Sequence, residues 1–130
     1  KLDLSLMPNG IGPDTQDIVC SENLSAGDAV NIYDNAGTPN CRKADRTNGR
    51  RCHGFVLQNF TTGNIAKIYK DSEVSGLAGL TIGAQYFLGA SGAVVTTPPA
   101  AGSGHILQAV GIALSATELD IEIDRPTVRN

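Results

Sequence analysis

The sequence has few aromatic residues and no tryptophan. Aromatic side chains make up 5% of its 130 residues. Because aromatic rings, and Trp above all, supply large flat contact faces, a sugar site built by stacking on Trp is not expected. The core must instead be aliphatic, and a single domain of this length buries about two-thirds of the surface that its unfolded chain exposes.

The chain also has few cysteines and a small net charge. Cys20, Cys41 and Cys52 are an odd number with no short paired spacing, so a complete disulfide framework is excluded. Reduced thiols in a cytosolic setting are the simpler expectation, with a single Cys41–Cys52 bridge left open. The formal net charge of −3 does not give the basic domain typical of nucleic-acid binding, so we expect no nucleic-acid partner.

Long apolar runs and regular helical patterns are missing. No stretch resembles a signal-peptide core or a membrane span, so we expect neither secretion by that route nor a membrane-spanning segment. No window of ordinary helical length has apolar residues at i, i+3, i+4 and i+7 without an intervening Gly or Pro. The predicted fold class is therefore all-β.

Short runs rich in Val, Ile, Leu and Tyr are present instead, and each is closed by a Gly, Asn or Asp turn about every ten residues. Residues 29–33 alternate apolar and polar side chains, which predicts a half-buried strand that residues 34–37 turn back. The alternation over residues 119–124 predicts a strand with one buried aliphatic face and one solvated row of carboxylates.

Three further hairpins are predicted from pairs of such runs and the turns between them. They join 51–60 to 65–69 through 61–64, 85–88 to 93–96 through 89–92, and 105–114 to 118–123 through 115–117. We therefore predict a single small antiparallel β-barrel or sandwich over residues 17–124. An extended N-terminal arm over 1–16 precedes it, and a polar C-terminal tail over 125–130 follows it.

The arm begins with an apolar stripe. Leu2, Leu4 and Leu6 alternate with other residues and so lie on one side of an extended segment, and Met7 precedes a stretch rich in Pro and Gly. Such a stripe needs a surface to cover it, which is either the chain's own sheet or a neighbouring subunit that receives an added strand. These four residues are candidates for a partner interface.

Residues 41–53, called the basic segment below, concentrate positive charge. They hold five of the chain's 10 Lys and Arg residues: Arg42, Lys43, Arg46, Arg50 and Arg51. One interpretation is a docking patch for an acidic partner surface, which would gain orientation and association rate. The other is a solvated loop whose charges keep a sheet edge soluble.

No residue pattern is typical of a catalytic or metal site. Cys52 and His53 are neighbours on a predicted strand and point to opposite faces, and no C-x-x-C pair is present. His105, Ser115 and Asp120 have no G-x-S-x-G turn around the serine, and phosphate-binding and dinucleotide fingerprints are missing. We predict that the chain is not an enzyme and uses no cofactor or metal.

Several phrases of the sequence resemble the small β domains of tailed-bacteriophage virions. They comprise a turn into a strand with a Tyr, a Gly-containing hairpin followed by Thr and Pro, and a V-G-x-A-L strand. The matching residues are 24–32, 42–45, 54–56, 79–88, 92–99, 104–108, 110–115 and 119–123. The arm lies outside this resemblance.

The resemblance implies a non-enzymatic structural protein that is made in the host cytoplasm and located in the virion. It implies a capsid decoration (cement) protein that binds the outer head surface and bridges neighbouring copies of the major capsid protein. A homo-oligomer is implied, with a trimer favoured over a dimer. The alternative is a head- or tail-fibre module involved in host receptor binding. No motif of the family fixes the contact residues, so the arm and the basic segment are candidates on physical grounds alone.

Overall fold

The structure, a computed structural model, describes residues 14–130. It contains twelve strands: β1 Thr15–Val19, β2 Ala29–Asn35, β3 Thr38–Lys43, β4 Gly54–Phe55, β5 Ile65–Tyr69, β6 Glu73–Val74, β7 Gln85–Leu88, β8 Val94–Val95, β9 Ile106–Leu107, β10 Ala109–Ala113, β11 Leu119–Ile121 and β12 Thr127–Val128. Over these residues there is no helix long and apolar enough to cross a membrane. The all-β prediction is confirmed.

The strands form two five-stranded antiparallel sheets and one two-stranded sheet. The order is β1-β5-β4-β2-β3 in the first sheet and β6-β11-β10-β7-β8 in the second, and β12 pairs with β9. The edge strands β1 and β3 of the first sheet meet only at an isolated parallel bridge between Cys20 and Cys41. No closed barrel is found in the described part of the chain, so the finer prediction of a barrel or sandwich is not confirmed.

Local sequence patterns located most of the hairpins correctly. The β2–β3 hairpin closes through Ala36 and Gly37, whose φ angles of 53° and 90° are the two positive values that a type I′ turn requires. The predicted β7–β8 and β10–β11 hairpins are also present. Leu119 and Ile121 are buried on β11 with a less buried Asp120 between them, as the alternation predicted.

Two predicted pairings differ because distant residues compete for the same backbone groups. Phe60 does not extend β4, since it exchanges both backbone hydrogen bonds with Leu24, each 2.9 Å long. β4 therefore meets β5 only at the Phe55–Tyr69 pair. Residues 106–107 separate from β10 as β9 and pair with β12, so the polar tail over 125–130 contains a short strand.

The core consists of two clusters of buried side chains. The first core cluster draws on both large sheets: Ala29, Ala44, Cys52, Phe55, Val74, Tyr86, Leu88, Val110, Ala113, Leu119 and Ile121. The second core cluster comprises Cys20, Leu24, Val30, Cys41, Val56, Ala66 and Ile68. Ala29 and Val30 are adjacent on β2 and belong to different clusters, so the centre of the first sheet is buried on both faces.

One buried polar side chain binds backbone groups from two distant parts of the chain. Gln108 is 1% exposed. Its Oε1 accepts a hydrogen bond from the Cys52 N–H at 2.8 Å, and its Nε2 donates to the carbonyls of Cys52 at 2.9 Å and Asp124 at 3.0 Å. Both amide donors are used, so the side chain is buried without leaving an N–H group unpaired.

We expect Gln108→Leu to lower the free energy of unfolding by about 2–5 kcal/mol, because it leaves the N–H and the carbonyl of the buried Cys52 without their side-chain partner. Urea denaturation measures this loss. Gln85→Leu is the matched control, since Gln85 is exposed on β7. Equal losses for the two variants would contradict a structural role for the Gln108 amide.

Candidate docking surface

The basic segment leaves β3 and reaches β4 through a tight turn. The Asp45 N–H donates to the Arg50 carbonyl at 2.8 Å, and the Asp45 side chain accepts from the Thr47 N–H at 2.9 Å and hydroxyl at 2.6 Å. Partial burial acts to raise the pKa of Asp45. The net shift is nevertheless downward, because hydrogen bonds from Thr47 and Ser91 and the charge of Arg50 favour the carboxylate.

Two of the predicted cations are held against the protein itself. The Arg46 Nη1 donates to the Thr97 carbonyl at 2.8 Å. The Arg42 guanidinium lies over the Tyr33 ring, 3.8 Å from its centroid, and its Nε donates to the Asn31 Oδ1 at 3.0 Å. Arg42 and Arg46 therefore anchor the first half of the segment to the rest of the fold, because the stacked and hydrogen-bonded geometry restricts their side chains.

Two more cations act on nearby carboxyl groups. Burial raises the pKa of Asp28, and a Ser25 backbone hydrogen bond and the charge of Lys43 oppose that rise. Arg50 acts in the same way on Asp45. The charges of Lys43 and Arg50 are thus partly balanced within the fold.

Arg51 is different, because it is exposed and acts on a histidine. The Nδ1 of His53 accepts a hydrogen bond from the Ile32 N–H at 2.9 Å, which leaves the ring proton of the neutral form on Nε2. Burial lowers the pKa of His53, and the charges of Arg51 and Lys70 lower it further. We call Arg51, His53 and Lys70 the basic patch.

The positive charges of the basic patch have no ion-pair partner in residues 14–130. The ion pair found there joins the Lys67 Nζ to the Asp17 Oδ1 at 3.4 Å, with both side chains well exposed. Arg51 and Lys70 therefore keep charges that a partner surface can meet. Sequence reasoning missed Lys70 because it follows β5, and only the β4–β5 pairing brings it near His53.

The cysteines are buried and unpaired in the structure. Cys41 belongs to the second core cluster and Cys52 to the first. Burial raises the pKa of both thiols to about 12, with Cys20 contributing to the shift of Cys41. They are therefore poor nucleophiles and poor metal ligands, since both roles need the thiolate. No group of three His, Cys, Asp or Glu residues suited to a metal ion occurs among the described residues.

The remaining interface candidates, Leu2, Leu4, Leu6 and Met7, lie outside the described residues. Their assignment to a partner interface stays a prediction.

The fold resembles that of a known phage protein. No protein-family model matches the chain, and no curated protein matches it. Among solved structures, the N base of head fiber gp8.5 from bacteriophage phi29 is similar to it, with a TM-score of 0.55 and 12% sequence identity. The match covers 84% of this chain and 93% of that one. At this identity the likeness establishes a shared fold.

We expect His53 to make the fold sensitive to acid. Because its pKa is lowered in the folded state, its contribution to stability is complete above its unfolded pKa of about 6.5 and is lost as the pH falls below that value. His53→Asn offers an Oδ1 acceptor in place of Nδ1 and does not titrate. Between pH 7.5 and pH 5.0, the urea concentration at the midpoint of unfolding should fall more for the wild type than for His53→Asn. His105→Asn is the control. Parallel pH profiles for the wild type and His53→Asn would contradict this assignment.

Proposed function

We propose that this chain is a structural protein of a tailed-bacteriophage virion, specifically a capsid decoration (cement) protein that binds the outer head surface and bridges neighbouring copies of the major capsid protein. The observation that carries the proposal is the fold shared with the base of a phage head fibre. The sequence phrases that resemble phage virion domains point in the same direction.

The physical character of the fold suits this role. The strands of its two large sheets are short and antiparallel. Both faces of the first sheet are buried at its centre, which favours a rigid body. A bridging protein needs such a body more than it needs a deep pocket. Each copy contributes a modest interface, and repeated copies on a symmetric head act together, more so as a homotrimer or homodimer.

The basic patch is the surface that we assign to the capsid contact. Arg51 and Lys70 present positive charge to solvent, so an acidic surface of the major capsid protein is the complementary partner. Exposed ion pairs contribute only about 0.2–1 kcal/mol each. The patch therefore sets orientation and association rate, whereas the strength of attachment comes from the number of contacts.

A head-fibre base is the second candidate, because the similar phi29 protein is described as such. A module of this kind would anchor a fibre on the head, and any role in host receptor binding would belong to the fibre as a whole.

Binding to phage heads purified without the protein tests the proposal. A cement protein should co-sediment with the heads saturably and raise the temperature at which they release DNA, which a DNA-binding dye measures. Saturable binding without a rise in release temperature would instead favour the fibre base. Absence of binding would contradict both candidates.

Charge reversal tests the assigned surface. We expect Arg51→Glu with Lys70→Glu to weaken head binding about tenfold at low salt, because two attractive contacts become repulsive, and the loss should shrink as salt screens them. Arg125→Glu is the control, since Arg125 is an exposed cation that does not belong to the basic patch. An equal loss for the control would show a general charge effect and reject the patch as the docking surface.

A further inference from the structure

An apolar groove lies between the two edge strands of the first sheet. β1 and β3 are joined near the Cys20–Cys41 bridge, where the Ser21 N–H also donates to the Cys41 carbonyl at 2.9 Å. Away from this point the two edges are not paired with each other in the described part of the chain. The groove there is lined by residues 16–19 of β1 together with Ile32, Pro39 and Ile65.

The groove leaves the second core cluster incompletely covered. Ile18 and Ile32 pack against this cluster but are only partly buried. Ile65 is 66% exposed on the neighbouring strand, and Pro39 is exposed on β3. Aliphatic side chains therefore border the groove at a place where the sheet has two free edges, which is where an added strand can bury the most apolar surface.

The free edge of β1 has the geometry that an added strand needs. At its two ends β1 is bonded to the β5 side, since the Cys20 N–H donates to the Asn64 carbonyl and the Lys70 N–H donates to the Asp14 carbonyl, each at 2.9 Å. Bonded residues alternate along an antiparallel ladder, so the even-numbered residues from 14 to 20 face β5. The others direct their N–H and C=O groups into the groove.

These outward-facing residues are Thr15, Asp17 and Val19. Among the described residues, the backbone groups of Thr15 and Asp17 and the Val19 N–H have no hydrogen-bond partner across the groove, whereas the Cys20–Cys41 bridge occupies the Val19 carbonyl. Pro39 on the opposite wall has no N–H to offer, as is common for proline on a sheet edge. The donors available to an incoming segment are therefore concentrated on β1.

We propose that residues 1–6 of the same chain fill this groove as a strand antiparallel to β1, with Leu2, Leu4 and Leu6 covering Ile18 and Ile32. The alternation of these leucines places them on one face of an extended segment, so all three can pack on the second core cluster together.

The position of residues 1–13 directly before β1 supports this occupant. Asp14 leads directly into β1, so the segment starts at one wall of the groove. Residues 7–13 read M-P-N-G-I-G-P and contain the turn-forming residues needed to reverse direction. Six extended residues span about 20 Å, enough to run the length of a five-residue strand. Attachment within one chain also gives the segment a high effective concentration at the groove.

Amide hydrogen exchange, measured by NMR on the chain of residues 1–130, tests this proposal. In the wild type, those amides of Thr15, Asp17 and Val19 that donate to the added strand should exchange slowly. Leu4→Ser with Leu6→Ser should speed their exchange about tenfold or more, since it removes the apolar contacts that hold the strand.

Two controls make the result specific to the groove. Asp3→Ser changes the opposite face of the segment and should leave these exchange rates unchanged. The amides of Phe55 and Val110 report on the first core cluster and should stay protected in every variant, which separates undocking from unfolding.

Fast exchange of all three edge amides in the wild type would overturn the proposal, as would identical rates in the leucine variant. The mass in solution distinguishes the remaining alternative. If protection occurs only in an oligomer and is lost on dilution to monomer, the groove holds the segment of a second copy and the proposal for the same chain is wrong. None of these outcomes depends on head binding, so the inference and the proposed function can fail separately.

Discussion

The hydrogen bonds of the buried Gln108 amide link the core to the surface of this protein. They fix both backbone groups of Cys52, a residue that is itself fully buried in the first core cluster. Arg51 and His53 flank Cys52 in the chain, so the same bonds determine where these two side chains leave the core. A polar side chain in an aliphatic interior is tolerated because its amide donors are paired, and that pairing requires one arrangement of the surrounding strands.

The cations on this side of the protein differ in the contacts that they make. Arg42 and Arg46 are held by an aromatic ring, a side-chain amide and a backbone carbonyl, so they stabilise the segment from within. Arg51 and Lys70 form no ion pair within residues 14–130. Surface charge that is not held in an ion pair is suited to orienting a partner, which is the role proposed for these two residues.

The two proposals concern different parts of the first sheet. One face of the first sheet packs against the second sheet, and the other encloses the second core cluster, which stays partly open between β1 and β3. The basic patch depends on the β4–β5 side of this sheet, whereas the groove lies at its edges. The proposed attachment and the proposed covering of the groove therefore depend on different residues and can be tested separately.

The sequence by itself determined the fold class and the local hairpins, because alternation and turn residues act between near neighbours: the positive φ angles of Ala36 and Gly37 close β2–β3, and a short loop joins β10 to β11. It also located the basic segment. Only the tertiary structure decided that Phe60 pairs with Leu24, that β9 pairs with β12, and that Lys70 approaches His53. These contacts join distant parts of the chain, and backbone hydrogen bonding and burial carry no residue code that reveals such partners in advance.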